Sequence, residues 1–150
     1  MIHIVYLGLG SNLGDREATI LKAYEEIERL IGVIRRRSAF YYSEPWGFES
    51  AHAFVNTVVM VETSLTPRQL LRRTQQIERL LGKTKAHATE RTDPSSLISH
   101  LSSYHDRPID IDILLYDDLT IDQPDLKIPH PLMQERPFVM QPLSEVKVKD

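Results

Sequence analysis

Residues 2–9, Ile-His-Ile-Val-Tyr-Leu-Gly-Leu, are apolar and β-branched, and the turn-forming run Gly-Ser-Asn-Leu-Gly-Asp follows at 10–15. The pair predicts a buried strand and a tight loop. From Asp15 to Ile31 the apolar positions Ile20, Tyr24, Ile27 and Leu30/Ile31 recur at helical spacing, with Asp15 as N-cap and Gly32 just past the end. Residues 33–43 and 53–62 both have strand character and are separated by about ten residues around Pro45-Trp46-Gly47, too few for a parallel crossover, so the two are expected to pair antiparallel. Thr66-Pro67-Arg68-Gln69 then predicts a capping box, with Pro67 at the first helical position. Leu70, Leu71, Thr74, Ile77, Leu80 and Leu81 form the buried stripe of this second helix until Gly82.

The segment 83–106 is rich in serine and histidine and has little periodicity beyond Leu97, Ile98 and Leu101, which predicts a long loop acting as a lid. The strand Ile109–Tyr116 follows, then a proline-punctuated segment ending near Val139. The order β-α-β-β-α-β fits an α+β, ferredoxin-like antiparallel sheet with helices packed on one face.

With 150 residues and a formal charge of −3, the chain is expected to form one domain over 1–150. The absence of cysteine excludes thiol catalysis, iron–sulfur clusters and Cys-type zinc sites. No apolar run approaches the ~20 residues that span a bilayer, so a cytoplasmic protein with no membrane partner is expected. Slight acidity argues against nucleic acid as a partner, although Arg35, Arg36 and Arg37 could serve an anionic ligand.

The most specific local signal is Ile109-Asp110-Ile111-Asp112-Ile113-Leu114-Leu115. Alternation on a strand sends Asp110 and Asp112 to one face, about 7 Å apart at ~3.3 Å per residue, where two carboxylates can converge on hard cations. An edge strand with a solvated acidic face is the plain alternative. Arg107 precedes the pair, and Lys83, Lys85, Arg91, Lys127, His130 and Arg136 occur in the flanking segments. Carboxylates that hold Mg²⁺, ringed by Lys and Arg, are what a polyphosphate needs. Gly82-Lys83-Thr84 is not a P-loop, because it follows a helix instead of opening one. Gly8, Gly10 and Gly14 miss the dinucleotide spacing by one place; they are expected to let the chain run close beneath a ligand or a neighbouring strand.

Between Ser43 and Asn56, the side chains of Trp46, Phe48, Phe54 and Asn56 can stack on a planar heterocycle and hydrogen-bond its edge, with core packing as the alternative for Phe54. An amide inside an otherwise apolar strand must find partners, which singles out Asn56. Phe138 is either a core residue or a second stacking face. His130, held in Ile128-Pro129-His130-Pro131, is suited to hydrogen bonding with phosphate.

Gly10-Ser11-Asn12-Leu13-Gly14, Phe54-x-Asn56, Gln76-Ile77-Glu78, Arg107-x-x-Asp110-x-Asp112-Ile113 and Pro129-His130-Pro131-x-Met133-x-x-Arg136-x-Phe138 together resemble the hydroxymethyl-dihydropterin pyrophosphokinases of the folate pathway, in order and over nearly the whole chain. The resemblance implies transfer of the terminal diphosphate of ATP to a pterin hydroxymethyl group, with release of AMP. It further implies that Asp110 and Asp112 hold two Mg²⁺ ions, and that Ser43, Glu44, Trp46 and Asn56 read the pterin edge while Phe54 and Phe138 stack on its faces. Glu78, Lys83, Arg107, Ile113, Lys127, His130 and Arg136 would then serve ATP, with Arg107 and Lys83 also acting in catalysis. A monomer is expected. The chain reads Tyr104-His105-Asp106-Arg107-Pro108 where the family usually has an Arg-Trp-Gly-Pro-type run, and Lys83 stands where arginine is common. These departures leave a non-catalytic nucleotide- or metal-binding regulatory module on the same fold as the alternative.

Overall fold

The computed structural model describes residues 1–12, 15–43, 54–90, 108–131 and 133–147, with side chains left out at 43, 83–90 and 138. Strand β1 (His3–Ser11) leads to helix α1 (Arg16–Leu30), where the Asp15 carboxylate accepts a hydrogen bond from the Ala18 amide as the sequence predicts. Then come β2 (Gly32–Arg37), β3 (Tyr41–Ser43) and β4 (Phe54–Thr63). Helix α2 (Pro67–Glu90) opens on the expected capping box: Thr66 Oγ1 accepts from the Gln69 amide, and Gln69 Oε1 accepts from the Thr66 amide. Strand β5 (Asp110–Tyr116), the hairpin β6 (Ile121–Gln123) and β7 (Leu126–Ile128), a 3-10 turn at Met133–Glu135 and helix α3 (Pro137–Val146) complete the described chain.

The main sheet runs β2-β4-β1-β5, with β3 also on β4, and every pairing is antiparallel. This is the expected ferredoxin-like α+β arrangement. One face carries Val5, Leu7 and Leu9 of β1 and Val55, Val59 and Val61 of β4, and it packs against Ile20, Ala23 and Ile27 of α1 and Leu70 and Ile77 of α2. Burial of the Val, Leu and Ile side chains among them contributes roughly 1.5–3 kcal/mol each before the entropy of ordering is counted.

Four expectations are corrected. The predicted strand 33–43 is broken at 38–40, because the Ser38 hydroxyl takes the Val58 amide that a strand carbonyl would otherwise accept. Helix α2 does not stop at Gly82 but continues to Glu90, so 83–90 belongs to the helix and not to a loop. Gly82 is not in the left-handed region and nothing crowds it, so it costs only about 1 kcal/mol relative to Ala and does not end the helix. The remainder of the predicted lid, 91–107, lies outside the described residues. Helices cover both faces: Val139, Leu143 and Val146 of α3 pack against Tyr6, Val58, Met60 and Leu114 on the face away from α1 and α2. The prolines concealed α3, since Pro137 sits in its first turn and Pro142 lies inside it, while Val139, Leu143 and Val146 still keep helical spacing.

Candidate active site

Asp110 and Asp112 lie on the same face of β5, the face shared by Gly8, Gly10, Phe54 and Asn56 and not the one buried under α1 and α2. Across the sheet Asp110 pairs with Gly10, and Asp112 with Gly8. Gly10 in turn pairs with Asn56 on β4, and Asn56 with Tyr41 on β3. Two glycines therefore separate the carboxylates from the amide, and no side chain rises between them. The floor is tight as well as bare. A β-carbon on residue 10 would stand 2.8 Å from Asn56 Oδ1 and 3.9 Å from the Phe54 ring, and one on residue 8 would stand 3.3 Å from Leu114.

The segment after β7 brings His130 to the other side of the pair. Its backbone amide donates to the Leu114 carbonyl at 3.1 Å, and its Nε2 lies 4.0 Å from Asp112 Oδ1. Burial and the nearby Arg136 guanidinium push the His130 pKa below its ordinary value, against an opposing pull from Asp110. Neutral histidine can donate one hydrogen bond while Arg136 carries the charge. Arg136 is also the residue at which α3 begins, following directly on the 3-10 turn.

Glu78 holds the strand that bears the acids. Its Oε2 accepts from the Ile111 amide at 2.8 Å, so a side chain from α2 is bonded to the backbone between Asp110 and Asp112 at the end of the sheet. Beside this edge is a cavity of about 290 Å³, walled by Leu71 and Thr74 of α2, by Ile111, Asp112 and Ile113, and by Leu126, Lys127 and His130. Lys127 is ion-paired with Asp122 at its margin. A groove of about 390 Å³ runs along α2 among Arg72, Arg73, Gln76 and Arg79, but it contains neither aspartate.

The structure thus brings together Asp110, Asp112, Asn56, Phe54, His130 and Arg136, with Ile113 and Lys127 at the cavity and Glu78 on the strand edge. Ser43 is placed by its backbone opposite Phe54, whereas Glu44, Trp46 and Arg107 and the side chains of Lys83 and Phe138 lie outside the description. The anchoring role of Glu78 has no local sequence signal, because its partner is a backbone amide 33 residues away.

Among the described residues no group of three or more acidic or histidine side chains forms a cage. A pair of half-exposed carboxylates suits Mg²⁺, which keeps several waters and is commonly held by one or two carboxylates together with substrate phosphates.

Asp112 and His130 wall a cavity at the edge of a ferredoxin-like sheet, Asp110 shares the face of Asp112, and Arg136 lies near His130, a charge pattern that suits the phosphates of a nucleotide. The model of one family, 7,8-dihydro-6-hydroxymethylpterin-pyrophosphokinase, matches residues 6–148, and the chain belongs to that family. It is 46% identical over 144 residues to the 2-amino-4-hydroxy-6-hydroxymethyldihydropteridine pyrophosphokinase of Porphyromonas gingivalis, covering 95% of this chain and 90% of the relative. With the protein of that name from Aquifex aeolicus it shares 40% over 143 residues, covering 95% and 79%. A crystal structure of Plasmodium falciparum HPPK-DHPS superposes with a TM-score of 0.65 at 16% identity, covering 96% of this chain and 40% of that longer one; this likeness concerns the fold. The chain is accordingly an enzyme of folate biosynthesis, a pyrophosphokinase with ATP as co-substrate, and the reading as a non-catalytic module is unsupported.

Proposed function

We propose that this site transfers the terminal diphosphate of ATP to the hydroxymethyl group of 6-hydroxymethyl-7,8-dihydropterin, with Asp110 and Asp112 holding two Mg²⁺ ions between the substrates. The relationship that carries this reading is the row Asp110, Gly10, Asn56: acid, bare floor, amide. A flat heterocycle lying over the glycines would meet the Asn56 amide at its edge and Phe54 at its side, and its hydroxymethyl group would point toward the carboxylates. Ser43, Glu44, Trp46 and Phe138 are assigned to the rest of the acceptor pocket.

ATP is assigned to the cavity beside β5, with Ile113 and Lys127 at the base and sugar and with His130 and Arg136 on the phosphates. Lys83 and Arg107 are assigned to the same phosphates. Bound Mg²⁺ would neutralise phosphate charge and draw the two substrates together. Asp110 and Asp112 orient their oxygens into that space, Arg136 takes up charge that develops on the phosphate oxygens, and His130 donates a hydrogen bond. The acceptor oxygen bonds to the β-phosphorus in line with the departing oxygen, which stays with AMP, and the hydroxyl proton is released. No covalent enzyme intermediate is required.

Incubation of the protein with ATP, Mg²⁺ and the hydroxymethyl pterin tests this reading. Stoichiometric AMP and pterin diphosphate support it; ADP as the nucleotide product, or no turnover, rejects it.

A further inference from the structure

Behind Asn56, on the opposite face of β4, lies a cluster of hydroxyl groups that the proposed site does not use. Tyr24 of α1, Thr57 of β4 and Ser38 in the break between β2 and β3 are all buried. Tyr24 Oη is 2.8 Å from Thr57 Oγ1, which is 3.0 Å from Ser38 Oγ. Ser38 Oγ donates to the Ala39 carbonyl at 2.8 Å and accepts from the Val58 amide at 3.0 Å.

Counting protons fixes the direction of the chain. The single proton of Ser38 goes to Ala39, so Thr57 donates to Ser38; the proton of Thr57 is then spent, so Tyr24 donates to Thr57. The 3.4 Å approach of Thr57 Oγ1 to the Ser38 carbonyl supplies a secondary acceptor. Such a directed series strengthens each of its members, and leaving one unsatisfied in a buried setting is costly. Burial raises the Tyr24 pKa, which keeps the phenol protonated and able to start the series.

The cluster ties three elements together at one point: α1, the residue next to Asn56, and the break from which β3 departs. From that break β3 runs back along β4, pairing Tyr41 with Asn56 and Ser43 with Phe54. We infer that the Tyr24, Thr57 and Ser38 hydroxyls are positioning residues for the acceptor heterocycle, setting the orientation of Asn56 and the course of β3 without touching substrate. This inference rests on the acceptor site proposed above.

The test uses the full chain and steady-state kinetics with each substrate varied in turn. Thr57→Val, which keeps the shape and removes the hydroxyl, is expected to raise the acceptor KM about tenfold, with the ATP KM within about twofold of the parent. Thr57→Ser, which restores the hydroxyl, is expected to recover most of the loss. Tyr24→Phe, the milder change, is expected to raise the acceptor KM about threefold and serves as the deciding variant should Thr57→Val not fold. An unchanged acceptor KM in a folded Thr57→Val or Tyr24→Phe protein, or equal increases in both KM values, overturns the inference. Asn56→Ala is measured alongside. If it leaves acceptor binding intact, the acceptor site itself is misassigned; if it weakens binding while the hydroxyl variants do not, only the positioning role fails.

Discussion

The amide oxygen of Asn56 lies over Gly10, 2.8 Å from where a β-carbon on that residue would stand. A methyl group at position 10 would displace the Asn56 side chain rather than the backbone, so the damage should fall on recognition. Gly10→Ala is expected to raise the acceptor KM about tenfold or more and to move the melting temperature by only a few degrees. Calorimetry and acceptor-dependent kinetics on the same preparation check both parts.

Asp112 lies beside the cavity and is half-exposed, so its carboxylate contributes little to the folded core. Asp112→Ala is expected to lower turnover at least about a hundredfold through loss of metal and misplacement of the phosphates, while unfolding stays close to that of the parent. Near-normal kcat at saturating Mg²⁺ would remove Asp112 from the site.

Glu78→Ala takes the acceptor away from the Ile111 amide at the end of the sheet. The expected cost is about 1 kcal/mol, or about 2–4 °C in melting temperature for a chain of this size, with a drop in kcat because the strand carrying both aspartates loses its tether. Glu78→Gln, which keeps an acceptor oxygen, should recover most of the stability. Thermal denaturation of the two variants side by side distinguishes tethering from charge.

These effects show where the sequence was readable. Asp15 and Thr66 cap their helices as their spacing predicts, because a cap involves residues three apart and is local. The alternation that puts Asp110 and Asp112 on one face is local too. Ser38 interrupts a strand by bonding to Val58, twenty residues away, and Glu78 reaches Ile111 across 33. Neither partner is written near the residue that needs it. Gly82 and Pro142 hide their helices for another reason: each disfavours a helix, yet the α2 backbone runs on past Gly82, and around Pro142 the packing of Val139, Leu143 and Val146 outweighs the cost.

Alkaline stability should report on Tyr24. Its folded pKa is raised above the ordinary value of 10.0 by burial, so the stability this group contributes is present below that pH and is lost as pH rises through and beyond it. Tyr24→Phe should therefore lose less stability than the parent between pH 9 and about 11. Tyr42 and Tyr116 also have raised values and act in both proteins, so the difference between the two curves isolates Tyr24. Urea unfolding across that range gives the comparison, and parallel curves would contradict it.

Helix α3 seals the second apolar layer with Val139, Leu143 and Val146, and it starts at Arg136, whose guanidinium lies near His130. Under the proposed grip of Arg136 on the nucleotide, occupancy at the leading end of α3 and solidity along its length are coupled: binding should slow amide exchange as far along as Val146, and a substitution that loosens Leu143 should weaken binding.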